Sequence, residues 1–185
     1  MRKPYIYTIG HSSHSKQFFL SMLKEAKVNA VADVRAFPAS RKFSHFNQEN
    51  MKKWLAGGGF SYSYHPLLAG RRNKAGHVQS KVNGAWENQS FHNYADYTLT
   101  EEFREGIVGL EALAGEKDVA YFCAERHPSR CHRLLVSNWL EANGWDVYHI
   151  LDEKDGISLV KHEQGRWGAM PIIEKDGVVV YPENG

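Results

Sequence analysis

Apolar and polar positions alternate along this chain with two different periods, and the places where the period changes mark its elements. "YIYTIG" (5–10) is a short apolar run closed by glycine, the pattern of a buried strand. In "SKQFFLSMLKEAK" (15–27), Phe18, Phe19, Met22, Leu23 and Ala26 recur at helical spacing behind Ser15, a residue suited to cap a helix. "NAVADVRAF" (29–37) is a second apolar strand that turns polar at Asp33 and Arg35 and stops at Pro38. "NQENMKKWLAGGG" (47–59) predicts a short helix with a glycine stop, and "FSYSYHP" (60–66) an aromatic-rich strand. Residues 70–93 are polar and weakly patterned and predict a long loop. "TEEFREGIVGLEALAGE" (100–116) predicts a helix capped by Thr100, and "DVAYFCAE" (118–125) a buried strand. "PSRCHRLLVSNWLEANG" (128–144) has the clearest helical period, with Pro128 near its start and Gly144 as its stop. "DVYHIL" (146–151) reads as a further strand, and "IIEKDGVVVY" (172–181) as two β-rich runs around an Asp-Gly turn.

Strands that alternate with helices predict a single three-layer α/β domain. Its central sheet is mainly parallel and flanked by helices, and a C-terminal hairpin is added. Residues 1–155 make up the α/β unit, and 156–185 a hairpin extension of the same domain.

The 185 residues are 42% hydrophobic and 24% charged, enough for one domain with a substantial core. No apolar run approaches the ~20 residues of a membrane helix, and the N-terminus lacks the apolar core of a signal peptide. Two cysteines do not make a disulfide framework. A cytoplasmic protein without a membrane partner is expected. The net charge of +2 conceals an asymmetry: residues 1–81 hold 14 Lys and Arg against 3 Asp and Glu, whereas 82–185 hold 9 against 18. A basic half of this kind suits a nucleic acid or nucleotide partner. If the two halves fold together, it equally suits internal charge pairing.

In α/β sheets, ligands bind beyond the carboxyl ends of the strands. Four polar clusters each follow a strand: "GHSSHS", "DVRAFPASR", "HPLLAGRR" and "CAERHPSRCHR". The last (123–133) holds both cysteines, two histidines, a glutamate and three arginines. If the helix begins at Pro128, Cys131 and His132 occupy its first turns. There the free N–H groups favour an anion or a thiolate. His132 points toward the sheet, while Arg130 and Arg133 share the outer face in a solvated or salt-bridged role. Three chemistries compete: an anion site, covalent catalysis by Cys131 with a histidine, and a metal site from Cys123, Cys131, His127 and His132. Without a paired C-x2-C arrangement, a structural zinc is weakly supported. A divalent ion held transiently by Asp33, Glu125 and the histidines is compatible with the pattern.

Asp33 and Arg35 share one strand face and suggest a buried pair or a site carboxylate with its cation. Ser40 and Arg41 can donate to phosphate. His11 and Ser12 sit at a strand-to-helix turn without a dinucleotide fingerprint, and His65, Arg71 and Arg72 open the long loop. Basic residues interleaved with Trp86, Phe91 and Tyr94 suit backbone contacts and base stacking, and suit a solvated loop as well.

In order along the chain, "TIGHS" (8–12), "DVRAFPASR" (33–41), "YHPLLAGRR" (64–72), "YFCAERHPSRCHR" (121–133) and "VYHI" (147–150) resemble a prokaryotic family, domain of unknown function 488. The family tends to carry a second glycine where Ala69 stands. The resemblance covers roughly residues 5–152. It implies an α/β fold and a shared polar site at His11, Asp33, Arg35, Ser40, Arg41, Arg71, Cys123, Glu125, Cys131, His132 and Arg133. It assigns them no roles.

The leading expectation is a nucleic-acid- or nucleotide-directed enzyme, a hydrolase of a phosphoester or N-glycosidic bond. Phosphate-binding groups would be Ser12, Arg35, Ser40, Arg41, His65, Arg71, Arg126 and Arg133. Asp33 or Glu125 would serve as base, His11 or His132 as acid, and Cys131 as a nucleophile. The alternatives are a non-catalytic module that senses a nucleotide or modified base, and thiol or metal chemistry at Cys123 and Cys131.

Overall fold

The computed structural model describes residues 4–183. It contains a six-stranded sheet ordered β3-β2-β4-β1-β5-β6. The strands are β1 (Tyr5–Gly10), β2 (Ala30–Asp33), β3 (Ser61–Tyr64), β4 (Val119–Cys123), β5 (Asp146–Glu153) and β6 (Gly156–Lys161). The first five are mutually parallel, and β6 runs antiparallel to β5. All residues of β2 and β4 are buried, as expected of strands covered on both faces.

Helices α1 (Lys16–Glu25) and α2 (Gln48–Gly57) cover one face, where Phe19, Met22, Leu23, Met51 and Leu55 pack on Ile9, Val31, Ala120 and Phe122. Helices α3 (Gln89–Tyr97), α4 (Glu101–Glu116) and α5 (Arg133–Ala142) cover the other, with Tyr94, Phe103, Ile107, Leu135 and Leu140 packed against Ile6, Ala32, Val119 and Val147. Ser15 and Thr100 cap α1 and α4 as the sequence predicts, their hydroxyls accepting from the Phe18 and Phe103 amides. The fold is the three-layer α/β arrangement expected, with a C-terminal hairpin, β7 (Ile172–Ile173) and β8 (Val179–Val180), as a separate two-stranded ladder.

Three local expectations are corrected. The helix expected from Pro128 is broken: Pro128–Arg130 form a 3₁₀ turn, Cys131 is extended (φ −137°, ψ 146°), and α5 begins only at Arg133. The polar stretch 70–93 is not loop throughout, because Asn88 caps α3 by accepting from the Ser90 and Phe91 amides. The strand expected over 29–37 ends at Asp33, since beyond it Arg35 folds back to bond Asp33.

The C-terminal segment is fastened to the core by polar bonds. Asn138 donates to the Tyr181 hydroxyl (2.9 Å), the Tyr181 amide donates to Asn83 Oδ1 (2.9 Å), and the Ala85 amide donates to the Tyr181 carbonyl (2.9 Å).

Candidate functional site

β1 and β4 are neighbours, yet β1 leads into α1 on one face of the sheet and β4 leads toward α5 on the other. This is a topological switch point, where the two connections part and leave a crevice at the strand ends. The segment after β4 crosses directly over the end of β1. A side chain on Gly10 would place its Cβ 1.8 Å from the Glu125 carbonyl oxygen, so only glycine fits. The His11 and Ser12 amides extend the ladder, donating to the Cys123 and Ala124 carbonyls at 2.9 and 3.0 Å. Ser12 holds a positive φ of 47°, the turn into α1.

Two buried polar centres flank this crevice. The first is built on β2. Arg35 Nε and Nη2 grip the Asp33 carboxylate at 2.9 and 2.7 Å, a bidentate pair in which both residues are buried. The Tyr62 hydroxyl also donates to Asp33. Arg35 Nη1 reaches the Phe46 carbonyl (2.8 Å) and His11 Nε2 (3.4 Å). His11 Nδ1 lies 2.9 Å from the Ser12 carbonyl, which can only accept, so Nδ1 carries the proton and Nε2 receives from Arg35. Burial, chiefly, lowers the His11 pKa to about 4, and the ring stacks on Phe46. The donors of Arg35 and the oxygens of Asp33 are thus committed to each other and to their neighbours.

The second centre is built on β4 and α5. Arg133, expected on a solvated face, is fully buried. Its donors explain this: Nε lies 3.0 Å from Cys123 Sγ, Nη1 2.6 Å from Thr8 Oγ1 and Nη2 2.8 Å from the Glu125 carbonyl. The delayed start of α5 turns this side chain inward and leaves its amide 3.4 Å from Cys131 Sγ. His132 Nε2 lies 3.0 Å from the Val34 carbonyl, which fixes the proton there and leaves Nδ1 facing Cys131 Sγ at 3.4 Å. Burial lowers the His132 pKa, so the neutral ring is a ready acceptor.

The two thiols share this environment with opposite results. For Cys131, burial pushes the pKa up, but the hydrogen bond from Cys123 and the Arg133 guanidinium and amide more than offset it, and the thiol is lowered to about 7. For Cys123, burial and the bond it donates to Cys131 hold the pKa well above its ordinary value. Neither cysteine is in a disulfide.

Both sulfurs lie at the floor of an open cleft of about 1070 Å³. One wall comes from Arg35, Ala36, Phe37, Ala39 and residues 70–73, the other from Asn88, Ser90 and Phe91 at the start of α3, and the floor from Cys123, Glu125 and 129–132. Arg71 and Arg130 are exposed and line it. Arg71 lies over the ring of Phe37 at 4.9 Å, and Phe37 is itself 64% exposed. Arg72 also lines the cleft, but bonds the Ala69 and Pro66 carbonyls and covers Tyr97 at 3.8 Å. Gly70 lies directly against His132.

Of the residues singled out from the sequence, Arg35, Arg71, Glu125, Cys131 and His132 line this cleft, with Cys123, and Arg133 lies beneath it. Asp33 and His11 are buried outside its lining. Arg41 is exposed elsewhere. Ser40 caps a local turn, its hydroxyl accepting from the Phe43 amide. His65 bonds Ser63 Oγ (2.8 Å), and Arg126 pairs with Asp152 (2.7 Å). The sequence reading overlooked Phe37 and Arg130 as cleft groups, although an aromatic beside Pro38 and an arginine two residues after Pro128 were available signals. Among the described residues, no three His, Cys, Asp or Glu side chains converge to hold a metal ion, and no helix is long and apolar enough to cross a membrane.

Fold and cleft together define a three-layer α/β protein with a cation-lined cleft beyond the ends of β2, β3 and β4 and a cysteine pair on the floor. Residues 15–140 match the family model described as "Domain of unknown function DUF488", and the chain belongs to that family. No curated protein and no solved structure matches the chain.

Proposed function

We propose that the protein is a hydrolase of a phosphoester in a nucleotide or nucleic acid, acting through Cys131. One observation carries the reading. Cys131 Sγ stands 3.4 Å from His132 Nδ1 and 3.4 Å from the Arg133 amide, at the floor of a cleft lined by Arg71 and Arg130. A nucleophile, a base, a carbonyl that orients the base, and cations for the substrate are the parts of an activated-thiol site.

In this scheme His132 takes the Cys131 proton, held in register by Val34. The thiolate attacks phosphorus, and Arg71 and Arg130 balance the charge on the phosphoryl oxygens. The ester P–O bond breaks, and the leaving oxygen takes the proton that His132 drew from Cys131. Glu125, the carboxylate in the cleft lining, then removes a proton from water, which attacks phosphorus. The S–P bond breaks to release phosphate, and the thiolate regains its proton from Glu125. Phe37 supports a nucleotide over a simple phosphate, because an exposed ring on a cleft wall offers a stacking face for a base. Cleavage of an N-glycosidic bond fits less well, since it asks for two free carboxyl groups across the bond and Asp33 is committed to Arg35.

The test is turnover of nucleoside monophosphates and short single-stranded DNA and RNA, with phosphate release and new ends monitored. Turnover that vanishes in Cys131→Ser supports the reading, and turnover that survives in that variant overturns it. Binding without turnover, equal in wild type and Cys131→Ser, would make the protein a sensing module instead.

A further inference from the structure

Arg133 holds two thiols at once. Its guanidinium Nε lies 3.0 Å from Cys123 Sγ, and its backbone amide lies 3.4 Å from Cys131 Sγ. The Cys123 thiol donates to the Glu125 carbonyl (3.9 Å), the same oxygen that accepts from Arg133 Nη2, so one arginine gathers both cysteines at the cleft floor. Both residues are buried at their side chains, yet both line the floor of the open cleft, so a small molecule that enters it meets sulfur. The hydrolytic scheme uses Cys131 and gives Cys123 no step. A second thiol held by the same residue as a nucleophilic one, on the same cleft floor, is the arrangement of a resolving cysteine.

We propose that Cys131 and Cys123 are a redox couple in which a hydroperoxide oxidises Cys131 and Cys123 resolves it to an intramolecular disulfide. In the first step the Cys131 thiolate attacks the terminal oxygen of R–O–OH. An S–O bond forms and the O–O bond breaks. Sulfur loses two electrons to become a sulfenic acid, and RO⁻ leaves as the alcohol with the proton that His132 Nδ1 took from the thiol. In the second step the Cys123 sulfur attacks the sulfenic sulfur. An S–S bond forms, the S–OH bond breaks, and hydroxide leaves as water with the Cys123 proton. The sum is two thiols and a hydroperoxide giving a disulfide, an alcohol and water. A dithiol such as dithiothreitol reverses the change by exchange.

The bond ties the end of β4 to the extended residue two before α5, which spans the cleft floor. Oxidation therefore removes the nucleophile and its neighbouring thiol together, in a form that reduction restores. A lone Cys131 would instead advance to sulfinic acid, which thiols do not reverse.

The experiment is intact-mass analysis of the full chain after treatment with hydrogen peroxide, followed by iodoacetamide. It needs no substrate, so its outcome is independent of whether the hydrolase reading stands. Wild type is expected to lose the mass of two hydrogen atoms as a monomer, to take up no iodoacetamide, and to recover both alkylatable thiols after dithiothreitol. Cys123→Ser is expected to gain oxygen at residue 131 instead, and Cys131→Ser to keep its remaining thiol unoxidised. Wild-type protein that gains oxygen, that stays fully alkylatable, or that appears as a disulfide-linked dimer would overturn the proposal without recourse to any variant.

Discussion

Gly70 at the foot of one cleft wall and His132 on the floor are in van der Waals contact: a methyl group on Gly70 would stand 2.4 Å from His132 Nδ1, the nitrogen that faces Cys131. The backbone of one wall thus presses the imidazole against the Val34 carbonyl on the opposite side. Gly70→Ala is expected to displace the ring from Cys131. Cys123 and Arg133, which lower the Cys131 thiol, stay in place, so its titration should be kept while nucleotide turnover, which needs the imidazole as base, falls on the order of a hundredfold. Steady-state kinetics, beside the pH dependence of iodoacetamide alkylation followed at residue 131 by peptide mass, measures both. Turnover unchanged from wild type would remove His132 from the chemistry.

Asp33 contributes to stability through Arg35. In Asp33→Ala the guanidinium stays buried without its carboxylate, which costs about 3–5 kcal/mol. At this chain length that corresponds to a fall in melting temperature of roughly 10 °C, read by calorimetry or circular dichroism. A variant that melts like wild type but has lost turnover would instead give Asp33 a part in the chemistry.

Phe37 and Arg71 should separate recognition from structure. Phe37 is 64% exposed, so Phe37→Ala should change stability by no more than about 0.5 kcal/mol. Loss of a stacked base is worth about 1–3 kcal/mol, which predicts a KM for a nucleotide raised roughly tenfold with kcat nearly unchanged. The KM for a phosphate ester without a base should not move. Equal effects on both substrates would deny the ring a stacking role.

Acid should loosen the fold well above the carboxylate range. Burial holds His11 and His162 at about 4, and His149 at about 2, against an ordinary 6.5. Each folded-state pKa is depressed, so the unfolded chain binds the extra protons. The stability from keeping these rings neutral is fully present above pH 6.5. It drains away as pH falls from 6.5 toward 4, at up to roughly 1.4 kcal/mol per pH unit for each ring. Urea midpoints between pH 7 and 5 should decline with the protein otherwise native. His162→Gln should flatten the decline, and a midpoint constant across that window would contradict the assignment.

The fold was legible where burial writes itself as a period. β1, β4 and α1 follow from apolar runs and spacing, and the family resemblance agrees with them. Elements whose buried side chains are polar were hidden. α3 buries Asp96 and the tyrosines Tyr94 and Tyr97, so "QSFHNYADY" reads as loop. β6 lies at an edge with exposed and half-buried residues and gives no apolar run. The site was legible as a set of positions and not as roles. A five-residue delay in the start of α5 moved Arg133 from the expected solvated face to the core, and no propensity along "PSRCHR" announces that delay. The requirement is set by partners far along the chain, Thr8 and Glu125, whose oxygens the guanidinium satisfies. Likewise Asp33 and Arg35 were recognisable as a pair, but their mutual engagement depends on Tyr62 and Phe46 arriving from other elements.

The bonds that tie Tyr181 to Asn83 and Ala85 bear on how the molecule is made. The cleft wall at Asn88, Ser90 and Phe91 follows closely on Asn83, whose amide also holds Asp96 of α3. During synthesis, the sheet strands, the cysteines and α5 all emerge from the ribosome before residue 181. The anchor for that wall is therefore delivered after the rest of the site. A nascent chain can carry both thiols in place while one side of the crevice is still untethered, and the site closes around its chemistry only when the segment around Tyr181 has emerged and docked.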